Sequence, residues 1–348
     1  MIESRSEMKK LALKNLSNTI DTLYGEIIIP SSAVQFWTFL IFQIPSLACT
    51  LFLLFHLLTN RQLRRALHNH IIIIFLLITF CVEVFDNPLY MDAYHYNGHN
   101  SFPLNESICL MWWFIDFGFY GAVSVFLAWS SVERHILVFH YHRLLRTARQ
   151  RFLLHYLPLI IVSVYIFGFY IGVIFFPPCV NQFDYELLGC GLTPCYTDIS
   201  YLNAWDYLGN GIVCSFIEAV SSVTLLVRVL WQKHRASQRV TWRRHRKMAF
   251  QLLSISFLSL CIIFPQSLIV VIQQAGNNMN NFGATALPYF NYLYTFVVFL
   301  LPLISLASYP ELWPKLFFFP FKRRQGPVAI ITRSTDRGQM KLVQPQQT

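Results

Sequence analysis

The sequence predicts an all-α membrane protein in which seven helices cross the bilayer and pack into one bundle. Of its 348 residues, 55% are hydrophobic and only 13% are charged, whereas a soluble domain carries about a quarter charged residues. The hydrophobic residues form repeated runs of about 20 residues or more, the length that crosses roughly 30 Å of hydrocarbon. Lys and Arg are concentrated in alternate connections between these runs. We therefore expect a membrane-embedded chain rather than two soluble domains.

The seven predicted spans follow one another with short connections. They cover about residues 33–58, 70–91, 108–139, 152–176, 204–232, 247–273 and 287–308. Pro45, Pro265 and Pro302 fall inside spans, where neighbouring helices can satisfy the carbonyls that a proline leaves free, so we expect kinks rather than helix ends. The predicted organisation is an amino-terminal tail, a bundle, a membrane-surface segment and a disordered tail, at residues 1–32, 33–308, 309–320 and 321–348.

The distribution of Lys and Arg predicts the orientation of the bundle. Three connections and the carboxyl-terminal tail hold 21 of these residues, and the connections are 60–69, 140–151 and 232–247. The alternate connections hold none, and they are 92–107, 177–203 and 274–286. Because positive loops stay in the cytoplasm, we expect a plasma-membrane protein with an extracellular amino terminus and a cytoplasmic carboxyl terminus. The basic residues also suit binding to anionic lipid headgroups, so the net charge of +10 does not require a nucleic-acid partner.

The cysteines divide between the membrane and the predicted extracellular side. Four lie on that side, which is oxidising, and they allow two disulfides in three connectivities; they are Cys109, Cys179, Cys190 and Cys195. The four within spans are expected to be small apolar packing residues. Asn15-Leu16-Ser17, in the amino-terminal tail, matches the glycosylation acceptor pattern.

Ionisable residues inside the spans are functional candidates, because a charge at the bilayer centre costs about 2.5–3.5 kcal/mol on insertion scales. Asp116 is the sharpest case. It lies near the outer end of the third span, among aromatic residues that suit cation binding through an ion pair and cation–π contacts; they are Trp112, Trp113, Phe117 and Tyr120. The alternative is a carboxyl group that is hydrogen-bonded to neighbouring helices or held protonated. Glu83, Asp86 and Glu218 could instead line a proton or ion path.

The inner end of the third span carries the motif Ser131-Val132-Glu133-Arg134-His135, in which Arg134 follows Cys109 by 25 residues. The motif and its spacing resemble the Asp/Glu-Arg-Tyr element and the bridging cysteine of rhodopsin-like (class A) G-protein-coupled receptors. Pro265 stands at the place of that family's kink proline. Leu301-Pro302-Leu303-Ile304-Ser305 resembles its Asn-Pro-x-x-Tyr element.

The resemblance covers about residues 33–320 and implies a receptor that binds an extracellular ligand and activates a heterotrimeric G protein, with no enzymatic activity, cofactor or metal. Ligand contacts are then expected from Asp116, Trp112, Trp113, Tyr120, Glu218 and Gln266. Switch and G-protein contacts are expected from Glu133, Arg134, His135, His245, Pro265 and Pro302. The family's outer bridge implies a disulfide from Cys109 to Cys195, or else to Cys190.

Several positions depart from the family pattern. Thr79 stands where a sodium-binding Asp is usual, and the seventh span has Leu301 and Ser305 in place of Asn and Tyr. Gln266 and Ser267 replace the aromatic pair of amine receptors, which favours a peptide or another ligand over a small amine. A seven-helix transporter or proton-coupled carrier is the alternative function. The lack of an H-E-x-x-H motif argues against a metal-dependent hydrolase.

Overall fold

Seven helices in the described part of the computed structural model are long and apolar enough to cross a membrane. We label these spans α1 to α7 in chain order. They are Ser32–Thr59, Leu67–His95, Glu106–Leu137, Ala148–Phe175, Ser200–Arg228, Ser254–Gln273 and Leu287–Ala307. The predicted seven-helix bundle is therefore confirmed, and most span limits lie within a few residues of those expected from the sequence.

The structure describes most of the bundle and its connections. The described residues are 30–96, 99, 101, 103–139, 147–185, 188–191, 193–235, 239–275, 282–283, 286–309 and 312–313, with the backbone alone at 229–230, 232–235, 239–253, 259 and 274–275. The chain divides into two units, Met1–Pro310 and Glu311–Thr348, and the bundle belongs to the first. Predictions for Asn15, for the side chain of His245 and for nearly all of the segments 309–320 and 321–348 lie outside the described residues.

Span α3 is at the centre of the bundle. It packs against α2, α4, α5 and α6, while α1 packs against α2 and α7. Large apolar side chains on the outer faces are exposed, as at Trp37 and Ile41 on α1 and at Ile160 and Val164 on α4. These faces suit contact with lipid tails, which the apolar composition of each span favours. The chain is thus a multi-pass membrane protein that contacts membrane lipids.

Proline residues are accommodated inside continuous helices, as predicted. Pro45 lies within α1, Pro265 within the long helix Arg239–Ala275 that contains α6, and Pro302 within α7. Two side chains of α1 bond to backbone carbonyls of α7 around its proline. The Ser46 hydroxyl donates to the Phe299 carbonyl at 2.9 Å, and the Cys49 thiol donates to the Pro302 carbonyl at 3.3 Å.

Four spans depart locally from α-helical geometry by a π-helical segment. These segments are Val82–Asp86 in α2, Phe114–Phe119 in α3, Phe152–Tyr156 in α4 and Trp205–Val213 in α5. A π-helical turn holds one residue more than an α-helical turn, and such turns occur frequently at functional sites. Sequence periodicity does not reveal these segments.

Two disulfides lie at one end of the bundle, and their pairing differs from the one expected first. Cys109 is bonded to Cys190, with 5.9 Å between their Cα atoms, and Cys179 is bonded to Cys195. The first choice of Cys195 as the partner of Cys109 is wrong, and the second choice is right. The connection between α4 and α5 returns over α3 at Gly189, whose carbonyl accepts a hydrogen bond from the Trp113 indole, and this places Cys190 beside Cys109.

Candidate functional site

A cavity of about 580 Å³ lies inside the bundle at the disulfide-bonded end. Its volume falls within the range of small-molecule sites in proteins, about 300–1,000 Å³. Residues of all seven spans line it, with Tyr170 from α4, and so do residues of the connection between α4 and α5. The cavity is therefore an internal site that the whole bundle builds.

Aromatic rings form much of the cavity wall. Nine lining residues are aromatic, and they are Tyr90, Tyr94, Trp113, Phe117, Tyr120, Tyr170, Tyr207, Tyr292 and Tyr294. Rings from other helices thus supply the aromatic surface that α6, with Gln266 and Ser267, does not. Aromatic faces attract cations, and this attraction is strongest where water is excluded.

Asp116 lies in this wall, as predicted. It belongs to the π-helical segment of α3, is half-buried, and accepts a hydrogen bond from the Tyr90 hydroxyl at 3.2 Å. Three of the predicted ligand-binding residues line the same cavity with it: Trp113, Tyr120 and Gln266. The Gln266 amide donates to the side-chain oxygen of Asn291 on α7 at 2.6 Å.

Two residues predicted for the ligand site do not line the cavity. Trp112 is buried on another side of α3, where its indole donates a hydrogen bond to Asp86 on α2 at 2.8 Å. Glu218 is buried on α5, outside the set of lining residues. The sequence identifies both as membrane-embedded polar or aromatic groups, but it does not show which way they face.

A second carboxyl group, Asp206 on α5, lines the cavity and was not singled out from the sequence. It accepts hydrogen bonds from three side chains: the Tyr170 hydroxyl at 2.6 Å, the Tyr196 hydroxyl at 2.9 Å and the Asn210 amide at 3.3 Å. Burial raises the pKa of Tyr196 well above its usual value, and the negative Asp206 raises it further, so this phenol stays protonated as a donor. The sequence does contain one indication of this site: Asp206 stands four positions before Asn210 in an otherwise apolar run.

The electrostatics of the cavity favour a cation. Asp116 and Asp206 line it, and none of the lining residues that the structure describes is Lys, Arg or His. Neutral hydroxyl and amide donors stabilise a carboxylate but leave its charge uncompensated, and charges interact more strongly away from bulk water. A positively charged group is the complement that the described wall lacks.

The connection between α4 and α5 forms part of the cavity wall. Gly189, Gly191 and Thr193 line the cavity. Gly191 has φ +79°, and a Cβ atom there would lie 2.4 Å from the Cβ of Asp184, so a residue with a side chain would be strained and would clash. The disulfide from Cys109 to Cys190 joins this wall to α3.

The motif at the other end of α3 is buried. Arg134 is only 4% exposed and lies close to Glu133 and Tyr309. His135 bonds to the Ser221 carbonyl of α5 at 2.6 Å. Burial raises the pKa of Tyr309, so its phenol remains protonated and donates to Asn69 of α2 at 2.7 Å. Arg134 thus lies beside Tyr309, after the end of α7, and His135 is bonded to α5.

Glu133 belongs to a hydrogen-bonded group of side chains from three spans. It bonds to His155 of α4, whose other ring nitrogen bonds to His70 of α2 at 2.8 Å. No group of three or more His, Cys, Asp and Glu residues in the described part of the chain is arranged to hold a metal ion. The polar cluster at this end is therefore a hydrogen-bonded one.

Comparison of the chain with models of known protein families and with curated protein sequences gave no match.

Proposed function

We propose that the protein is a receptor that binds an extracellular ligand with a cationic group and activates a heterotrimeric G protein. The observation that carries the proposal is the internal cavity in which Asp116 lies among aromatic rings and in which no described lining residue is basic. The ligand is either a small molecule or the basic end of a peptide. The cavity volume of about 580 Å³ suits both.

The proposed receptor resides in the plasma membrane with the cavity on the extracellular side. Both disulfides lie at the cavity end, and disulfides persist in oxidising surroundings. Arg61, Arg64 and Arg65 lie between α1 and α2 at the opposite end, which the positive-inside rule assigns to the cytoplasm. This orientation leaves the amino terminus outside and the carboxyl terminus inside.

Substitution Asp116→Asn tests the ligand site. Basal and ligand-evoked G-protein activation would be measured in cells across a panel of amines and peptides, beside the unaltered chain. We expect Asp116→Asn to weaken binding of the activating cation by at least about thirty-fold, since loss of one partner of a buried charge pair is costly.

Asp198→Asn is the matched control, because it removes the same charge from an exposed position at the same end of the bundle, outside the cavity lining. We expect this variant to bind like the unaltered chain. Equal affinity of Asp116→Asn and the unaltered chain for every activating ligand would refute the assignment of Asp116.

Arg134 is the residue proposed to face the G protein. A ligand shifts a receptor between two states only by its differential affinity for them, and the resemblance to the rhodopsin-like family implies that α6 moves outward in the active state and exposes Arg134. We expect Arg134→Ala to abolish ligand-evoked nucleotide exchange while surface expression persists. Arg228→Ala, which changes an exposed arginine on α5, should retain exchange. Undiminished exchange in Arg134→Ala would exclude this role.

A proton-coupled carrier is the second candidate, and buried carboxyl groups on α2 favour it. Glu83 and Asp86 are fully buried, and both oxygens of Glu83 and one of Asp86 have no hydrogen-bond partner in the described structure. The hydroxyls near Glu83 donate elsewhere: Ser46 to Phe299 of α7 and Thr50 to the Ser46 carbonyl. Solute or proton flux in proteoliposomes separates the candidates, because a receptor supports none.

A further inference from the structure

Two carboxyl groups on different spans lie in the wall of the cavity. Asp116 belongs to α3 and Asp206 to α5, and both line the same internal space. The Tyr207 phenol, which also lines it, lies close to both carboxyl groups. The cavity therefore presents carboxyl groups at two places that a single ligand of modest size can contact at once.

A second set of contacts also connects the two carboxyl groups. Phe117 follows Asp116 in α3, and its ring lies against that of Tyr196, with 6.3 Å between the centroids. The Tyr196 hydroxyl donates to Asp206 at 2.9 Å. Phe117 and Tyr207 line the cavity. A molecule that spans the carboxyl groups would therefore lie against aromatic surface, which suits both methylene groups and cations.

Asp206 has room for one more hydrogen-bond donor. Tyr170 and Asn210 donate to its Oδ1 atom and Tyr196 to its Oδ2 atom, so Oδ2 keeps a lone pair for a further donor. The three donors favour the ionised carboxylate, but they are neutral and leave its charge unpaired. Because Asp206 is only 7% exposed, that unpaired charge is unfavourable. An ammonium or guanidinium group would supply both the donor and the positive charge.

The predicted outer connections favour a ligand with more than one positive charge. The connections 92–107, 177–203 and 274–286 hold no Lys or Arg, and the amino-terminal tail holds equal numbers of acidic and basic residues. The acidic residues of these connections are Asp92, Glu106, Asp184, Glu186 and Asp198. A negative field attracts a doubly charged cation more strongly than a singly charged one, which raises its local concentration.

We infer that the ligand carries two positively charged groups on one flexible chain, one bound at Asp116 and the other at Asp206. The inference rests on the proposed receptor function and specifies the chemical class of its ligand. The shared chemistry is a pair of ammonium or guanidinium groups, on a diamine or at the basic end of a peptide. A singly charged amine would leave one of the two carboxylates unpaired.

Matched pairs of probes test the inference on the purified full chain, with affinities measured by calorimetry. Each pair is an unbranched diamine and the unbranched monoamine with the same number of carbons. The series runs from about three to about eight carbons, lengths that suit a cavity of this size. We expect the best diamine to bind at least about ten-fold more tightly than its monoamine, because it forms a second charge pair away from bulk water.

A second pair of probes represents the end of a peptide. Lysine amide and norleucine amide have the same carbon chain and differ by one ammonium group. We expect lysine amide to bind more tightly if the ligand is a peptide. A preference for the doubly charged probe in only one of the two series therefore supports the inference and identifies the source of the ligand.

Asp206→Asn removes the second charge. We expect the ratio of diamine to monoamine affinity to fall to about one in this variant, while monoamine affinity changes by less than about three-fold. Tyr196→Phe is the matched control, because it removes a donor to the same carboxylate and keeps the charge. It should keep the ratio of the unaltered chain. Equal loss of the ratio in the two variants would show that Asp206 acts through packing alone and would overturn the inference.

The probes decide the matter in the unaltered chain even if Asp206→Asn does not fold. Equal affinities for the singly and doubly charged members of every pair would overturn the inference. If Asp116→Asn still weakened the binding of both members, the proposed receptor function would stand with a singly charged ligand. Failure of every cationic probe to bind would overturn the inference together with the proposed cation site.

Discussion

At the scale of single residues, Gly121 of α3 has the least room in the cavity wall. A Cβ atom there would lie 2.1 Å from the Tyr170 hydroxyl oxygen, and Tyr170 is 2% exposed and donates to Asp206. Gly121→Ala must therefore displace the tyrosine and break its bond. We expect a loss of roughly 1–3 kcal/mol of stability, as overpacking typically causes, measured as a lower unfolding midpoint.

The control for this substitution is Gly168→Ala on α4, where no atom lies within 4 Å of the added Cβ. Alanine should be neutral or slightly stabilising there, since it restricts the unfolded chain more than glycine does. A similar effect of the two substitutions would show that close packing at Tyr170 is not the cause.

Of the two acidic residues in the cavity wall, only Asp116 was predicted from the sequence. Asp116 was predicted because a carboxyl group among aromatic residues in a membrane span is unusual and costly. Asp206 has the same side chain, but it lies near the start of a span. A charge there can reach the membrane interface, so it does not by itself indicate a functional site. Its role depends on Tyr170 and Tyr196, which are distant in the sequence and become its neighbours only in the folded bundle.

At the scale of helices, each of the four π-helical segments contains at least one ionisable residue. They contain Asp86 of α2, Asp116 of α3, His155 of α4 and Asp206 of α5. One extra residue rotates the following side chains by about a quarter turn relative to an ideal helix. This shift is invisible to hydrophobic periodicity, and facing directions within predicted spans are consequently less secure than the spans themselves.

The contact between α2 and α3 provides a prediction at this scale. The Trp112 indole supplies a hydrogen bond to Asp86, whose other carboxyl oxygen has no partner in the described structure. Trp112→Phe keeps the ring packing but leaves the buried carboxyl group without that donor. We expect it to cost about 1–3 kcal/mol of stability, read as a lower unfolding midpoint.

Trp37→Phe on α1 is the comparison, because Trp37 is 59% exposed on the outer face of the bundle. It should change the midpoint much less than Trp112→Phe. Indistinguishable midpoints for the two variants would mean that the bond from α3 to Asp86 contributes little to helix packing.

At the scale of the whole molecule, the number and limits of the spans could be predicted because bilayer thickness fixes the length of each apolar run. The disulfide pairing could not be derived in the same way, because four cysteines on one side allow three connectivities. The structure separates these by the path of the connection between α4 and α5, which crosses α3 at Gly189 and not at Cys195. That path depends on the packed bundle rather than on any local pattern.

The same path has a kinetic consequence for the proposed ligand. The short helical turn Leu188–Cys190 is held to α3 by a disulfide and by the Trp113 indole, and Gly189 in this turn lines the cavity. A wall fastened by a covalent bond cannot swing aside as a hinged loop does. A ligand would then leave by a route that avoids this part of the wall, which reduces the number of exits and lengthens the time that the ligand stays bound. Reduction of the Cys109–Cys190 bond would shorten that residence time.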